Sequence, residues 1–346
     1  MDPTLFLNGQ EVSFTPGQTI LEVARANQVA IPTLCHMRRA EAIGSCRVCV
    51  VELDGVADLV PACSTPANAG MQIQTQSQRV VEARREILSM LMHTGHHDCP
   101  ICDKGGECRL QDLVYEFGVH HVPMTKRLAN EVPEYATPNI RYWPERCILC
   151  LRCVTACNEV LGIGAISIQG QGNQAKVVAS HPERCVSCGE CLAVCPTGAL
   201  TEDLSRYKGR PWLENRTQTT CTYCGCGCQL QLKVQNNRVI GVTTDEDTGV
   251  NRGSLCVKGR FGYEFIGSEN RLTTPLVRKK GQLQEASWDE ALSLVASRLT
   301  KIRSESGADS IGGLASARCT NEENYLFQKF MRAVIGTNNV DHCARL

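Results

Sequence analysis

Two stretches of the chain, CILCLRCVTAC at 147–157 and CVSCGECLAVC at 185–195, share one spacing, C-x2-C-x2-C-x3-C, and the second runs on into Pro196. Runs of this kind wrap the backbone around inorganic clusters, and in a paired run the fourth cysteine of each crosses to the other cluster. The spacing therefore assigns Cys147, Cys150, Cys153 and Cys195 to one [4Fe–4S] centre, and Cys185, Cys188, Cys191 and Cys157 to a second. Asn158 rather than proline follows the first run, which changes a turn and not the ligand count. Structural zinc also uses C-x2-C pairs, but a doubled four-cysteine run favours iron–sulfur chemistry.

The whole chain has 346 residues, 22 of them cysteine, with zero formal net charge. Neutral charge argues against a basic nucleic-acid binder or a polybasic membrane-surface protein. No apolar run reaches the ~20 residues of a membrane span. The start, MDPTLFLNGQE, has no basic region and no long apolar segment, so a cytoplasmic protein is expected. In a reducing compartment so many thiols read as metal ligands and not as a disulfide framework. Aromatic residues are only 5% of the chain, which suits small modules that rely on metal sites in place of large cores.

The remaining cysteines also fall into groups. Cys35, Cys46, Cys49 and Cys63 form a widened version of the plant-type [2Fe–2S] spacing. A hairpin turning at Asn8-Gly9 and a helix over TILEVARANQV precede them, which predicts a small α+β ferredoxin module. His36 reads as a loop residue. An amphipathic helix over 80–92 then delivers Cys99, Cys102 and Cys108, an incomplete set with His93, His96 and His97 just upstream to supply a fourth ligand. Cys221, Cys224, Cys228 and Cys256 make a further [4Fe–4S] set, with Cys226 left inside the loop as a non-ligand. Lys258, two residues beyond Cys256, reads either as a solvated charge or as a cation beside that cluster. The last 75 residues differ in texture: a helix from Ser287 with Glu290 as its capping box, a short buried strand in ADSIGGLAS, and a second helix capped by Thr320 and Glu323 and stopped at Gly336. They predict the start of an α/β domain with a single strand.

The order of these modules, with phrases such as IPTLCH, GSCRVCVVEL, DCPICDKGGECRLQD and CPTGAL, resembles the large electron-relay subunit of complex I, a pattern shared with iron-only hydrogenases and cytosolic NAD-linked formate dehydrogenases. CTYCGCGC, Cys256 and VKGR resemble the cluster domain that opens molybdopterin oxidoreductases, and SARCTNEENYLFQKFMRAVIGTNNVDHCARL resembles formate dehydrogenase catalytic subunits. The resemblance implies an α+β multi-module iron–sulfur protein: a β-grasp [2Fe–2S] ferredoxin domain (1–78), a His/Cys3 [4Fe–4S] domain (79–120), a two-cluster [4Fe–4S] ferredoxin domain (138–208), a molybdopterin-oxidoreductase [4Fe–4S] domain (214–270) and a truncated molybdopterin-binding α/β domain (271–346). It implies one [2Fe–2S] and four [4Fe–4S] clusters, and a bis-molybdopterin guanine dinucleotide carrying molybdenum or tungsten in the full-length enzyme. In the family the histidine ligand lies four residues before the first cysteine of its module, here Gly95, so a one-residue deletion is implied and His96 is the expected ligand, with His93 and His97 open. Lys258 would sit between cluster and pterin and assist electron transfer.

The implied activity is oxidation of formate to CO2, with electrons leaving singly to a flavin/NAD-binding subunit, a ferredoxin or a hydrogenase. Two other readings are a pure relay subunit of a complex I-type NADH dehydrogenase and a short stand-alone electron-transfer protein. By the same resemblance the residue after Leu346 would be the active-site selenocysteine or cysteine. The expected codon there is a UGA that is read through, followed by a histidine codon and a long in-frame continuation. Sequencing past Leu346 checks this, and a UAA or UAG codon would contradict it.

Overall fold

The computed structural model describes residues 2–93, 98–120, 135, 137–205 and 207–343. Asn8 and Gly9 both take positive φ, 52° and 84°, the tight-turn geometry whose twist matches paired strands. They join β1 (Thr4–Leu7) to β2 (Gln10–Ser13). With β3 (Val50–Leu53), β4 (Val60–Pro61) and β5 (Gln72–Gln74) these form a five-stranded sheet ordered β2-β1-β5-β3-β4. β1 and β5 run parallel and the other pairs antiparallel. Helix α1 (Ile20–Ala26) starts at a reciprocal capping box between Thr19 and Glu22 and buries Ile20, Leu21, Val23 and Ala24 in the same core as Leu5, Val51 and Ile73.

The helix predicted over 80–92 is α2 (Gln78–His93). It packs on α3 (Arg109–Glu116) through Leu88, Leu110 and Leu113, but Cys35, Cys46, Ile148 and Cys150 share that core. The sequence suggests separate beads, each folded around its own centre; the structure instead merges their cores. Units this small bury too small a share of their surface alone. Arg84, buried in α2, donates to the Val50 carbonyl at 2.8 Å, and desolvation lowers its pKa to about 10.

The doubled cysteine runs fold with the same backbone turns. Leu149 and Leu151 in the first run, and Ser187 and Gly189 in the second, take positive φ of 50°, 61°, 52° and 72° at equivalent positions. Each run ends in a short helix, α4 (Arg152–Thr155) and α5 (Glu190–Ala193). Strand β6 (Ile140–Tyr142) pairs with β9 (Leu200–Glu202), and between them lies the hairpin of β7 (Ser167–Gln169) and β8 (Lys176–Val178). A three-stranded antiparallel sheet follows, of β10 (Asn215–Thr220), β11 (Gln229–Gln235) and β12 (Arg238–Thr243), and then helix α6 (Val257–Phe261).

The final segment departs from expectation in four respects. It opens with a hairpin, β13 (Leu276–Lys279) and β14 (Gln282–Glu285), ahead of α7 (Trp288–Ser306). Ser287 caps α7 by accepting from the Glu290 amide, but the Glu290 carboxylate turns to Lys279, at 2.5 Å, and completes no box. Thr320 and Glu323 do form the reciprocal box on α8 (Asn321–Lys329), whose extension ends at Gly336 with φ of 89°. The strand in ADSIGGLAS is β15 (Gly313–Ala315); it pairs in parallel with β16 (Val340–His342), so there are two strands and not one. It is not buried, since Leu314 is 83% exposed.

Gly189 is the glycine on which this packing depends. Its φ is +72°, and an added Cβ would stand 2.3 Å from Arg260 Cδ and 2.8 Å from Phe261 Cζ. Gly162, at φ +65°, has nothing within 4 Å of its missing Cβ. Gly162→Ala should therefore cost only the left-handed conformation, about 1–2 kcal/mol, whereas Gly189→Ala should cost more and separate α6 from the ferredoxin loop. Melting midpoints of the two variants, compared under one condition, check this ordering.

Candidate iron–sulfur centres

The first thiol set is closed. The Cys46 amide donates to Cys35 Sγ at 3.5 Å, the Cys35 thiol contacts those of Cys46 and Cys63, and Cys63 contacts Cys49. All four residues are buried. Hydrogen bonds from neighbouring thiols hold Cys35 far below the ordinary thiol value and bring Cys49 down to about 7, while Cys46 and Cys63 are pushed far up. Four soft sulfur donors in one contact set fit an iron–sulfur cluster, whose metal would deprotonate them outright. His36 lies in the loop beside Cys35, half-buried, its Nδ1 atom without a partner.

Cys99, Cys102 and Cys108 line one cleft of about 330 Å³ together with Arg146 and Gly198. Burial pushes the Cys99 and Cys108 thiols up. Any Cβ at position 198 would fall 2.3 Å from Cys102 Sγ, so glycine there lets the ferredoxin segment touch this set. His96 and His97 lie outside the described residues. His93 ends α2 with Nδ1 3.4 Å from the Ser89 carbonyl oxygen.

Both crossed sets come together. Cys150 and Cys153 each lie in the electrostatic field of Cys147 and Cys195, and burial pushes both of their thiols up. Cys157 lines a second cleft, of about 370 Å³, with Cys185, Cys188 and Cys191. Burial raises the Cys191 thiol to about 12. The left-handed turns inside each run bend the chain back on itself between its cysteines.

The loop of the fourth set closes through the Cys221 amide, which donates to the Cys228 carbonyl at 2.8 Å. Burial raises Cys228 to about 11, with Cys226, Cys221 and Cys224 adding to the effect. The Cys226 thiol contacts Cys228, so the structure does not separate Cys226 from the other thiols of this loop. Cys256 caps α6 and is exposed, as are Cys224 and Cys226. Gly259, one turn along α6, brings that helix against the loop, its absent Cβ 3.5 Å from Cys221 Sγ. Lys258 is exposed on α6. Among the described residues no three His, Cys, Asp or Glu side chains crowd onto one point as for a single metal ion. Cys319 and Cys343 lie apart and exposed.

Sequence reasoning passed over the residues that join these sets. Glu190 and Arg260 are 1% and 3% exposed and ion-paired at 3.3 Å. Arg39, from the first module, pairs with the other Glu190 oxygen. They border a polar cleft of about 880 Å³ between modules, lined also by Arg152, Glu202 and Lys233. In CGEC and VKGR they look like ordinary surface charges, and nothing in their spacing marks them as buried.

Five family descriptions match consecutive parts of the chain. They are a 2Fe-2S iron–sulfur cluster binding domain at 3–78, the NADH-ubiquinone oxidoreductase-G iron–sulfur binding region at 84–123, a 4Fe-4S dicluster domain at 146–199, a molybdopterin oxidoreductase Fe4S4 domain at 214–268 and molybdopterin oxidoreductase at 271–346. Consecutive stretches of the chain thus match four iron–sulfur domain families and one molybdopterin oxidoreductase family. The chain is 40% identical over 345 residues to the alpha subunit of the NADPH-Fe(3+) oxidoreductase of Geobacter sulfurreducens, covering 99% of this chain and 40% of that one. It is 40% identical over 347 residues to a G-type NADH-quinone oxidoreductase subunit of Rhizobium meliloti, covering 98% and 40%. A Bacillus subtilis protein provisionally named as a formate dehydrogenase is 34% identical over 389 residues, covering 98% and 39%. The chain thus spans about 40% of the length of these curated relatives. A chain from the crystal structure of an NAD+-reducing [NiFe]-hydrogenase in the H2-reduced state superposes with a TM-score of 0.54 at 33% identity, covering 60% of this chain and 91% of that one. No helix among the described residues is long and apolar enough to cross a membrane.

Cys221→Ser and Cys226→Ser test the fourth set. After anaerobic reconstitution the first should lose about four iron atoms and one [4Fe–4S] signal, and the second none. Equal iron loss in both would mean that Cys226 is a ligand.

Proposed function

We propose that this chain is the electron-relay portion of a nicotinamide-linked, molybdopterin-type oxidoreductase, carrying one [2Fe–2S] and four [4Fe–4S] clusters. When bound, such clusters take up and release single electrons. The ligands would be Cys35, Cys46, Cys49 and Cys63; Cys99, Cys102 and Cys108 with His96; the two crossed sets of the ferredoxin runs; and Cys221, Cys224, Cys228 and Cys256.

One observation carries the reading: each thiol set touches the next through its own ligand loop. Ser45 Oγ donates to the Cys150 carbonyl at 3.3 Å, and Cys35, Cys46 and Cys150 share one core. The Arg109 amide, beside Cys108, donates to the Pro196 carbonyl, beside Cys195, at 2.9 Å. Arg260 Nε donates to the Cys188 carbonyl at 2.9 Å. Isolated metal sites that served only to stabilise small domains would not need to adjoin in this way. The Cys147–Cys150–Cys153–Cys195 set is the junction, in contact with both amino-terminal sets and with its own crossed partner.

The names of the Geobacter and Rhizobium relatives and of the hydrogenase support a nicotinamide-linked flavin subunit at one end. A ferredoxin or a hydrogenase is the other acceptor class. At the opposite end, Lys258 on α6 would stand between the fourth cluster and a pterin bearing molybdenum or tungsten. Formate is the second reading for the substrate, favoured by residues 316–346 and by the Bacillus relative.

The test uses the protein purified anaerobically with its natural partners. Dithionite should bleach about 18 iron atoms' worth of cluster absorbance, NADH or NADPH should bleach it through the flavin partner, and formate should bleach it if the second reading holds. Zinc as the dominant metal, or clusters that no nicotinamide or formate reduces, would overturn the proposal.

A further inference from the structure

Arg260 and Glu190 form an ion pair whose two side chains are 4% and 2% exposed. Buried pairs seldom add net stability, because desolvation offsets their attraction, so stability alone does not account for this one. Arg260 makes two bonds. Nε donates to the carbonyl of Cys188, a thiol of the crossed set, at 2.9 Å, and a terminal nitrogen meets Glu190 at 3.3 Å. Its charge faces Cys188 and Cys191. Arg260 also sits four residues beyond Cys256 on α6, and so belongs to the neighbouring set. Glu190 is shared with Arg39, which also donates to Ser254 Oγ at 2.6 Å, two residues before Cys256. Arg260 and Arg39 thus flank Glu190 at the seam between two thiol sets, and Glu246 reaches Arg39 at 3.9 Å.

Resting on the relay reading above, we infer that Arg260 and Glu190 are positioning residues that seat α6 on the Cys188 loop and set the reduction potential of the cluster held by Cys157, Cys185, Cys188 and Cys191. Reduction adds one negative charge to a cluster, and hydrogen bonds and fixed charge around the sulfurs are what shift its potential. In a site of low dielectric a neighbouring guanidinium favours the reduced form and a carboxylate opposes it. The residues make and break no bond and move no proton; they weight a one-electron exchange between neighbouring clusters. This makes the sign of the effect specific to each residue, whereas a simple clamp would give the same sign for both.

Redox titration of the anaerobically reconstituted full chain, followed by electron paramagnetic resonance, tests this. Arg260→Gln should lower the potential of that one [4Fe–4S] cluster, so that the ratio of reduced to oxidised at the wild-type midpoint falls about tenfold, or 59 mV for one electron. Arg260→Lys should keep most of it, and Glu190→Gln should shift the potential the other way. The [2Fe–2S] midpoint should stay put in the Arg260 variants. Unmoved midpoints at full iron content, or shifts of one sign in both variants, would overturn the inference. Should Arg260→Gln lose iron, Arg39→Gln decides: a smaller downward shift supports the inference, and none overturns it. Failure of the wild-type chain to hold a [4Fe–4S] cluster there would count against the relay reading itself.

Discussion

Cysteine sulfur is what the amino-terminal two-thirds of this chain packs around. The core of the second module closes on Cys35, Cys46 and Cys150 as much as on Leu88 and Leu113. Around Tyr142 and Leu200 the partly buried neighbours include Cys147, Cys157, Cys185, Cys191 and Cys195. A free thiol packs as a small hydrophobe, but soft sulfur donors gathered in sets suit a bound metal centre. A cluster makes one covalent object of four residues. Folding and cofactor binding are then a single equilibrium, as in other small metal-dependent domains.

Because each apolar core is small, charge fastens the modules to one another. Arg146, packed over the Trp143 ring, holds Asp98 with bonds of 2.8 and 2.6 Å and so anchors the Cys99 loop to the ferredoxin runs. Arg210 donates to the carbonyls of Cys102 and Pro100 at 2.7 and 2.6 Å, approaching the same loop from the other side. Lys233 on β11 reaches Glu107 at 2.9 Å. Most of these bonds end on or beside a cysteine-bearing loop, so the contacts that assemble the molecule also fix the spacing between its centres. On the relay proposal, stability and electron passage would draw on the same residues.

Much of this was legible in the sequence, for a physical reason. Cysteine grouping is local: C-x2-C-x2-C-x3-C sets by short covalent spacing which thiols lie near one another, and the structure places Cys157 in one cleft with Cys185, Cys188 and Cys191. The Asn8-Gly9 turn and the Thr320 box are local too, and both form. What could not be read is set by distant neighbours. Glu190 looks like a solvated helix residue until Arg39 and Arg260 close over it from 151 and 70 positions away. Ser287 and Glu290 have the right spacing for a box, yet Lys279 from the preceding hairpin captures the carboxylate. Leu314 reads as core because its segment is apolar, but only one strand pairs with β15 among the described residues.

On the relay proposal the two cysteine runs hold two clusters by exchanging their fourth ligands and form the junction of the chain of centres. Anomalous X-ray scattering at the iron edge, on crystals grown anaerobically, would locate both. Multi-iron peaks are expected at both runs, with Cys157 bound to the cluster of Cys185, Cys188 and Cys191 and Cys195 bound to that of Cys147, Cys150 and Cys153. A single-atom zinc peak at either run, or Cys157 bound beside Cys153 on one cluster, would contradict it.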